Sequence, residues 1–374
     1  MIEPKDFYDA LKARDIGFYA GVPDSLLANF CAYVDDHGGK RAHLITANEG
    51  NAVALAMGYH MATGKMAVVY MQNSGLGNTV NPLTSLADPE VYRVPMLLVI
   101  GWRGEPGIKD EPQHVKQGRI TLDQLNVLGV PHWVIDAKSN IAETLKSAFT
   151  AMTERNAPVA LVVRKDTFAK YKPQKKQAEA SALAREDALE QLLELCGPDD
   201  LVVSTTGKTS REVFELRAKH GQAHRDFLTV GGMGHTASIA LGVAIGQPER
   251  RVVCLDGDGS LLMHMGSMPV IANFQPARFV HVLLNNGSHE SVGGQATSAG
   301  LVHFGLLAKA VGYAAYAEAH DIESLRQGWC QLSEVVGPVL LEVKIRNGSR
   351  DDLGRPTTTA EQNKLAFMEA TGVK

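Results

Sequence analysis

The stretch from Arg251 to Asn286 constrains this chain more than any other. Arg251–Leu255 is short, apolar and β-branched, the pattern of a buried strand. Asp256-Gly257-Asp258-Gly259-Ser260 interrupts it. A mixed apolar segment from about Met265 to Phe274 predicts a helix, and Arg278–Leu284 predicts a second buried strand that Asn285-Asn286-Gly287 ends. Strand, helix and strand in succession make a crossover unit, and such a unit sets its two strands parallel. Parallel strands send their carboxyl ends to the same rim. Asp258 and Asn286 are therefore expected together, although 28 positions separate them.

The residue types on that rim suggest a chemistry. Gly257 and Gly259 are expected to let the backbone turn sharply and approach a ligand. The following helix offers unpaired N–H groups to a phosphate. Asp258 and the side-chain carbonyl of Asn286 are hard oxygen ligands, suited to magnesium beside a diphosphate. Each half alone reads equally well as a common turn. The two together, each after an apolar strand, point to a metal and phosphate rim.

Length and composition narrow the rest. A chain of 374 residues with 45% apolar content is expected to form two globular domains. A net charge of −4 gives no electrostatic case for nucleic acid or a membrane surface. Cys31, Cys196, Cys254 and Cys330 are scattered, without a CxxC pair, which argues against structural zinc or a disulfide framework and fits a reducing cytoplasm. No apolar run approaches 18 residues, and the first residues lack an apolar signal region. Lysines crowd Lys165–Glu179, with Pro173 and few apolar residues, as in a solvated linker. The expected organisation is a first domain over 1–168, a linker over 169–184 and a second domain over 185–374.

Strands and helices alternate in both halves. The fold class is α/β, two doubly wound domains with mainly parallel sheets. In the first half the strands are Ile16–Ala20, His43–Thr46, Met66–Tyr70, Pro95–Ile100, Trp133–Asp136 and Val159–Val163, after a helix from about Pro4 to Arg14. In the second they are Leu201–Ser204, Arg251–Leu255, Arg278–Leu284 and Val339–Ile345. Ligands of open α/β sheets sit outside the carboxyl ends of strands, which marks Asp24 and Ser25, residues that also suit a helix cap. Glu49 opens an Ala-rich helix, where a first-turn acid is favoured anyway. Gln72–Asn78 reads as a Gly-rich loop, Trp102–Lys109 as a long polar loop, and His114 follows it. Thr205–Ser210 looks like a phosphate loop but lacks the first glycine of the nucleoside-triphosphate motif. Val230–His235 is a second Gly-rich turn, and His264 reads as helix surface.

GDGS followed by NN resembles the metal and diphosphate signature of thiamine-diphosphate enzymes. The resemblance extends over nearly the whole chain, with a pyrimidine-binding first half, a diphosphate-binding second half and no middle domain. It implies thiamine diphosphate and Mg2+ as cofactors. Asp258, Asn286 and the carbonyl of Ser288 would hold the metal. Glu49 would bond the aminopyrimidine ring, and Met233 in the Gly232 turn would wedge beneath the cofactor. Gly257, Gly259 and Ser260 would line the diphosphate. GVPDS, ANEGNAVALAMGYH, DEPQHVKQG, NNGSHESVGGQ and DLGRPTTT are most similar to the phosphonopyruvate decarboxylase family of 2-keto acid decarboxylases, which implies a small anionic 2-keto acid substrate. Sulfopyruvate decarboxylase is the near alternative, and a non-catalytic cofactor-binding subunit the alternative from another class. Ser25, Asp24 and His114 become candidates for facing the substrate. Arg103, Lys109, Arg350 and Arg355 are candidates for its acidic group. The family pattern further implies a homo-oligomer with active sites at the subunit interface.

Overall fold

The computed structural model describes residues 1–39, 41–174 and 182–373. The chain divides into two units, Met1–Gln177 with Ser291–Gln295, and Ala178–Glu290 with Ala296–Lys374. Each unit carries one six-stranded sheet. Every pairing between these strands is parallel.

In the first unit the strands are β1 (Phe18–Gly21), β2 (His43–Ile45), β3 (Ala67–Gln72), β4 (Leu97–Gly101), β5 (His132–Ile135) and β6 (Val159–Val163). Their order is β2-β1-β3-β4-β6-β5. Their apolar runs are continuous because helices cover both faces of the sheet. On β4, Leu97 and Val99 belong to one core and Leu98 and Ile100 to the other, all at 0% exposure. Each such side chain contributes about 1.5–3 kcal/mol when fully buried.

The second unit has β7 (Leu201–Ser204), β8 (Phe227–Leu228), β9 (Val252–Gly257), β10 (Arg278–Asn285), β11 (Ala315–Ala319) and β12 (Gly337–Lys344). Their order is β11-β12-β10-β9-β7-β8. Val253 and Leu255 of β9 face one core, and Val252 and Cys254 face the other. In both units the chain reverses its direction of travel across the sheet. This happens between β1 and β3, and between β7 and β9. Such reversals open a crevice at the carboxyl ends of the strands they separate.

Several expectations need correction. The edge strands β8 and β11 were not anticipated. The first is two residues long, and the second, Ala-Tyr-Ala-Glu-Ala, is poor in β-branched residues. Gln72–Asn78 is not a loop: a 3-10 turn over Asn73–Gly75 runs into the helix Leu76–Pro82. The helix expected from about Met265 is Ser267–Phe274, and a short helix, Asp258–Met263, precedes it. Part of the lysine-rich stretch packs on the first unit. Ala169 N donates to Ile2 O at 2.9 Å, and Tyr171 Oη to Asp36 at 2.9 Å. Lys175 and Lys176 lie outside the described residues. All four cysteines are free. Among the described residues no helix is long and apolar enough to cross a membrane.

Gly101 ends β4 directly beneath the buried Asp24 carboxylate. A Cβ there would lie 2.1 Å from Asp24 Oδ2. Gly101→Ala should therefore cost about 1–3 kcal/mol through overpacking. Gly58→Ala, in open space on an exposed helix position, should not destabilise. Urea midpoints of the two variants check this.

Candidate active site

The carboxyl rim of the first unit is tied together by the exit from β3. Gln72 Nε2 donates to Asp24 Oδ1 at 2.8 Å. Asn73 Nδ2 donates to Arg103 O at 2.8 Å, and Asn73 Oδ1 accepts from Arg103 N at 3.1 Å. Two residues on, Gly75 lies so close to Glu49 that a Cβ would sit 2.3 Å from Oε1. One short segment thus sets the position of three candidate residues from three other strand ends.

Glu49 is the first residue of the helix Glu49–Thr63, whose N-terminus Asn48 caps by accepting from Asn51 N at 3.0 Å. Its carboxylate is 5% exposed and accepts from Asn78 Nδ2 at 2.7 Å. Burial pushes its pKa above the usual glutamate value, with the Asn78 bond pulling the other way. Asp24 is fully buried, its Oδ2 accepting from Leu26 N at 2.8 Å. Burial raises its pKa too, opposed by Gln72, the Leu26 N–H and the charge of Arg103.

Arg103 stands on the loop after β4. Its Nε donates to Asp110 Oδ2 at 2.8 Å, its Nη2 to Asp110 Oδ1, and its Nη1 to Ser25 Oγ at 3.0 Å. Burial opposes ionisation of Asp110. Arg103 and the Glu111 and Gly104 N–H groups outweigh it and hold the carboxyl well below the usual range. His114 is not on the loop but in the first turn of the helix Pro112–Val127, which Pro112 opens. It is buried, and its Nδ1 has no hydrogen-bond partner. Burial, then the nearby Arg103 charge, lowers its pKa. Lys109 is exposed.

In the second unit four strand ends converge. Ser260 Oγ accepts from Gly234 N at 3.2 Å and from Thr205 Oγ1 at 3.3 Å, linking the exits of β7, β8 and β9. Gly232 and Gly234 take positive φ, which the turn requires. Met233 between them is half-buried. His264 closes the short helix and packs flush against Gly234, where a Cβ would meet its Cδ2 at 2.5 Å. Gly257 and Gly259 do not make the sharp turn expected of them. Neither has a positive φ, and Gly257 is extended. Gly259 leaves room for the His289 ring, whose Cε1 would be 3.0 Å from a Cβ.

Asp258 is 2% exposed, and its Oδ2 accepts from Thr297 Oγ1. Burial pushes its pKa up to about 6, against the Thr297 hydroxyl and backbone N–H groups. Asn286 is reached from β10, beside β9 in the sheet. Its Oδ1 accepts from Ser288 N at 3.0 Å and its Nδ2 donates to Glu290 Oε2 at 3.1 Å. Ser288 Oγ is buried without a partner. Arg350 is far from idle, meeting the carboxylates of Glu186, Glu215 and Asp352. Arg355 is exposed. Asn78, Thr297, Asp110 and Glu290 were not singled out from the sequence. Asn78 and Asp110 lie inside motifs quoted for other residues, whereas Thr297 has no local signal.

Two family models match this chain. Residues 5–127 match the thiamine pyrophosphate enzyme N-terminal TPP-binding domain, and residues 205–343 the C-terminal TPP-binding domain. The chain belongs to the thiamine pyrophosphate enzymes. It is 36% identical to a phosphonopyruvate decarboxylase of Streptomyces viridochromogenes, over 98% of this chain and 94% of that one. A phosphonopyruvate decarboxylase of Streptomyces hygroscopicus is also 36% identical, over 99% and 94%. A sulfopyruvate decarboxylase of Methanosarcina acetivorans is 24% identical, over 100% and 99%.

The donor set fits the cofactor's metal. Asp258 is a buried carboxylate met by a hydroxyl and N–H groups, with no cationic side chain among its hydrogen-bond partners. The Asn286 amide oxygen and the Ser288 peptide carbonyl are of the hard oxygen type that magnesium takes.

The histidine environment gives a direct test. Burial lowers the His114 pKa, so the ring takes up its proton at a lower pH than an ordinary imidazole. Arg103→Met removes a positive charge and frees Asp110, and both changes favour the imidazolium. The His114 pKa, followed by NMR titration of its ring protons, should rise in that variant.

Proposed function

We propose that this chain decarboxylates 3-phosphonopyruvate to phosphonoacetaldehyde and carbon dioxide, using thiamine diphosphate and Mg2+. The observation that carries the reading is the 36% identity over 98% of the chain to a relative of that name. Bound thiamine diphosphate supplies the electron sink that loss of carbon dioxide from a 2-keto acid requires.

The chain's own residues bind, orient and hold protons. Asp258, Asn286 and the carbonyl of Ser288 hold the magnesium, which offsets the charge of the diphosphate. Gly257, Gly259, Ser260 and the Gly232–Met233 turn line the cofactor. Glu49, desolvated and anchored through Oε2 to Asn78, keeps its proton to higher pH than an exposed glutamate and would hold that proton at its carboxyl toward the pyrimidine ring. Among the four cations considered, Arg103 is best suited to the phosphonate. Arg350 already faces three carboxylates. In Arg103, Asp110 orients Nε and Nη2, and Nη1 turns to the Ser25 hydroxyl. Asp24 and neutral His114 flank this guanidinium and hold or give the proton that the product takes up. A cytoplasmic location is supported by the four free thiols.

The substrate assignment is tested with purified protein, thiamine diphosphate, magnesium and a panel of 2-keto acids. Phosphonopyruvate should exceed pyruvate in kcat/KM by orders of magnitude, since each charge-assisted bond contributes about 1.5–3 kcal/mol. Equal or better turnover of sulfopyruvate would move the assignment to that acid, and turnover of none would leave a cofactor-binding subunit.

We also propose a homo-oligomer in which each site draws Glu49 from one chain and Asp258 with Asn286 from another, as the family resemblance implies. Glu49→Gln should lose at least about a hundredfold in rate, and Asp258→Ala should lose metal and cofactor. Coexpression of the two variants should restore activity, because mixed dimers hold one site free of both defects. Mixed dimers that stay inactive would put both halves of a site on one chain.

A further inference from the structure

An amide ligand is ambiguous. Its oxygen binds a cation and its nitrogen repels one, and the two ends have nearly the same shape. A protein that uses Asn286 for a metal must therefore hold its Nδ2 elsewhere. Glu290, four residues on, accepts from that nitrogen at 3.1 Å. A carboxylate only accepts, so a flipped amide would set oxygen against oxygen. With Nδ2 held, Oδ1 turns to the Ser288 N–H at 3.0 Å.

Glu290 is itself pinned from the other side. Lys208 Nζ donates to its Oε1 at 2.6 Å and Arg185 Nη1 to its Oε2 at 2.8 Å. Arg185 is immobilised in turn by Glu212, with Nε and Nη2 donating at 2.7 and 2.9 Å to its two oxygens. The Arg185 and Glu212 side chains are 6% and 1% exposed. The chain Glu212–Arg185–Glu290–Asn286 therefore runs from a buried ion pair to a candidate ligand. Lys208 and Arg185 also neutralise a carboxylate that would otherwise compete for the cation.

We propose that Glu290 is the positioning residue for the metal, locking the Asn286 amide with its oxygen toward the cation. The inference rests on the reading of Asn286 as a magnesium ligand. Partners of this kind are worth roughly 10–100-fold in metal affinity.

The test is Mn2+ binding in the presence of thiamine diphosphate, followed by the electron paramagnetic resonance of free Mn2+, which needs no turnover. In Glu290→Gln the amide facing Asn286 accepts either orientation. Mn2+ should bind about 10–100-fold more weakly. Glu290→Gln also takes a charge from Arg185 and Lys208, so the protein should melt lower than wild type, in one transition. Asn286→Asp needs no orienting but sets two carboxylates together, so it should also bind poorly. The double variant Asn286→Asp/Glu290→Gln removes both faults and should bind Mn2+ better than either single variant.

Wild-type Mn2+ affinity in Glu290→Gln, with affinity lost in Asn286→Ala, would overturn the positioning role and leave the ligand assignment standing. A double variant no better than the singles would overturn it too, reducing Glu290 to a charge. Unchanged affinity in Asn286→Ala would overturn the ligand reading itself, and the inference with it.

Discussion

Parallel pairing governs this molecule. Two parallel strands cannot be joined by a tight turn, so each connection must cross a face of the sheet. Those crossovers bury both faces, which is why the strands are apolar throughout. They also return every strand to the same starting edge, so all exits gather on the opposite rim. The first unit brings Asp24, Glu49, Gln72 and Arg103 to such a rim, and the second brings Thr205, Gly234, Asp258 and Asn286. The chemistry is carried by exits because the topology leaves polar side chains few other places to meet.

The buried acids of these rims fall into two kinds. Asp24, Glu49 and Asp258 are desolvated and have raised pKa values, because their partners are chiefly amides, hydroxyls and N–H groups. Asp110 and Glu290 are also partly buried, yet their pKa values are lowered, because Arg103 holds one and Lys208 with Arg185 the other. Desolvation penalises all five, and among them a direct hydrogen bond from a cation decides the sign.

Much of this was legible in the chain. The six strands of the first sheet and four of the second were evident as apolar runs, and the central ones, buried on both faces, leave no alternation to misread. The proximity of Asp258 and Asn286 followed from parallel connectivity alone. The edge strands were not legible: Ala315–Ala319 owes its conformation to pairing with β12 rather than to its own composition. The glycines of GDGS do not make the expected sharp turn, and a local turn argument missed the His289 ring that packs on Gly259.

By itself the sequence determined the period of the apolar pattern, and with it ten of the twelve strands, their parallel pairing and the residues at their ends. It also carried the motifs that place the chain among the thiamine pyrophosphate enzymes. What each end residue touches was decided by tertiary structure. Asp110 binds Arg103 at a separation of 7 positions, Thr297 binds Asp258 at 39, and Arg185 binds Glu290 at 105. The physical reason lies in range. Backbone conformation is chosen by neighbours along the chain, whereas the protonation and aim of a buried side chain depend on whichever groups folding brings within hydrogen-bond reach, and no local pattern encodes that.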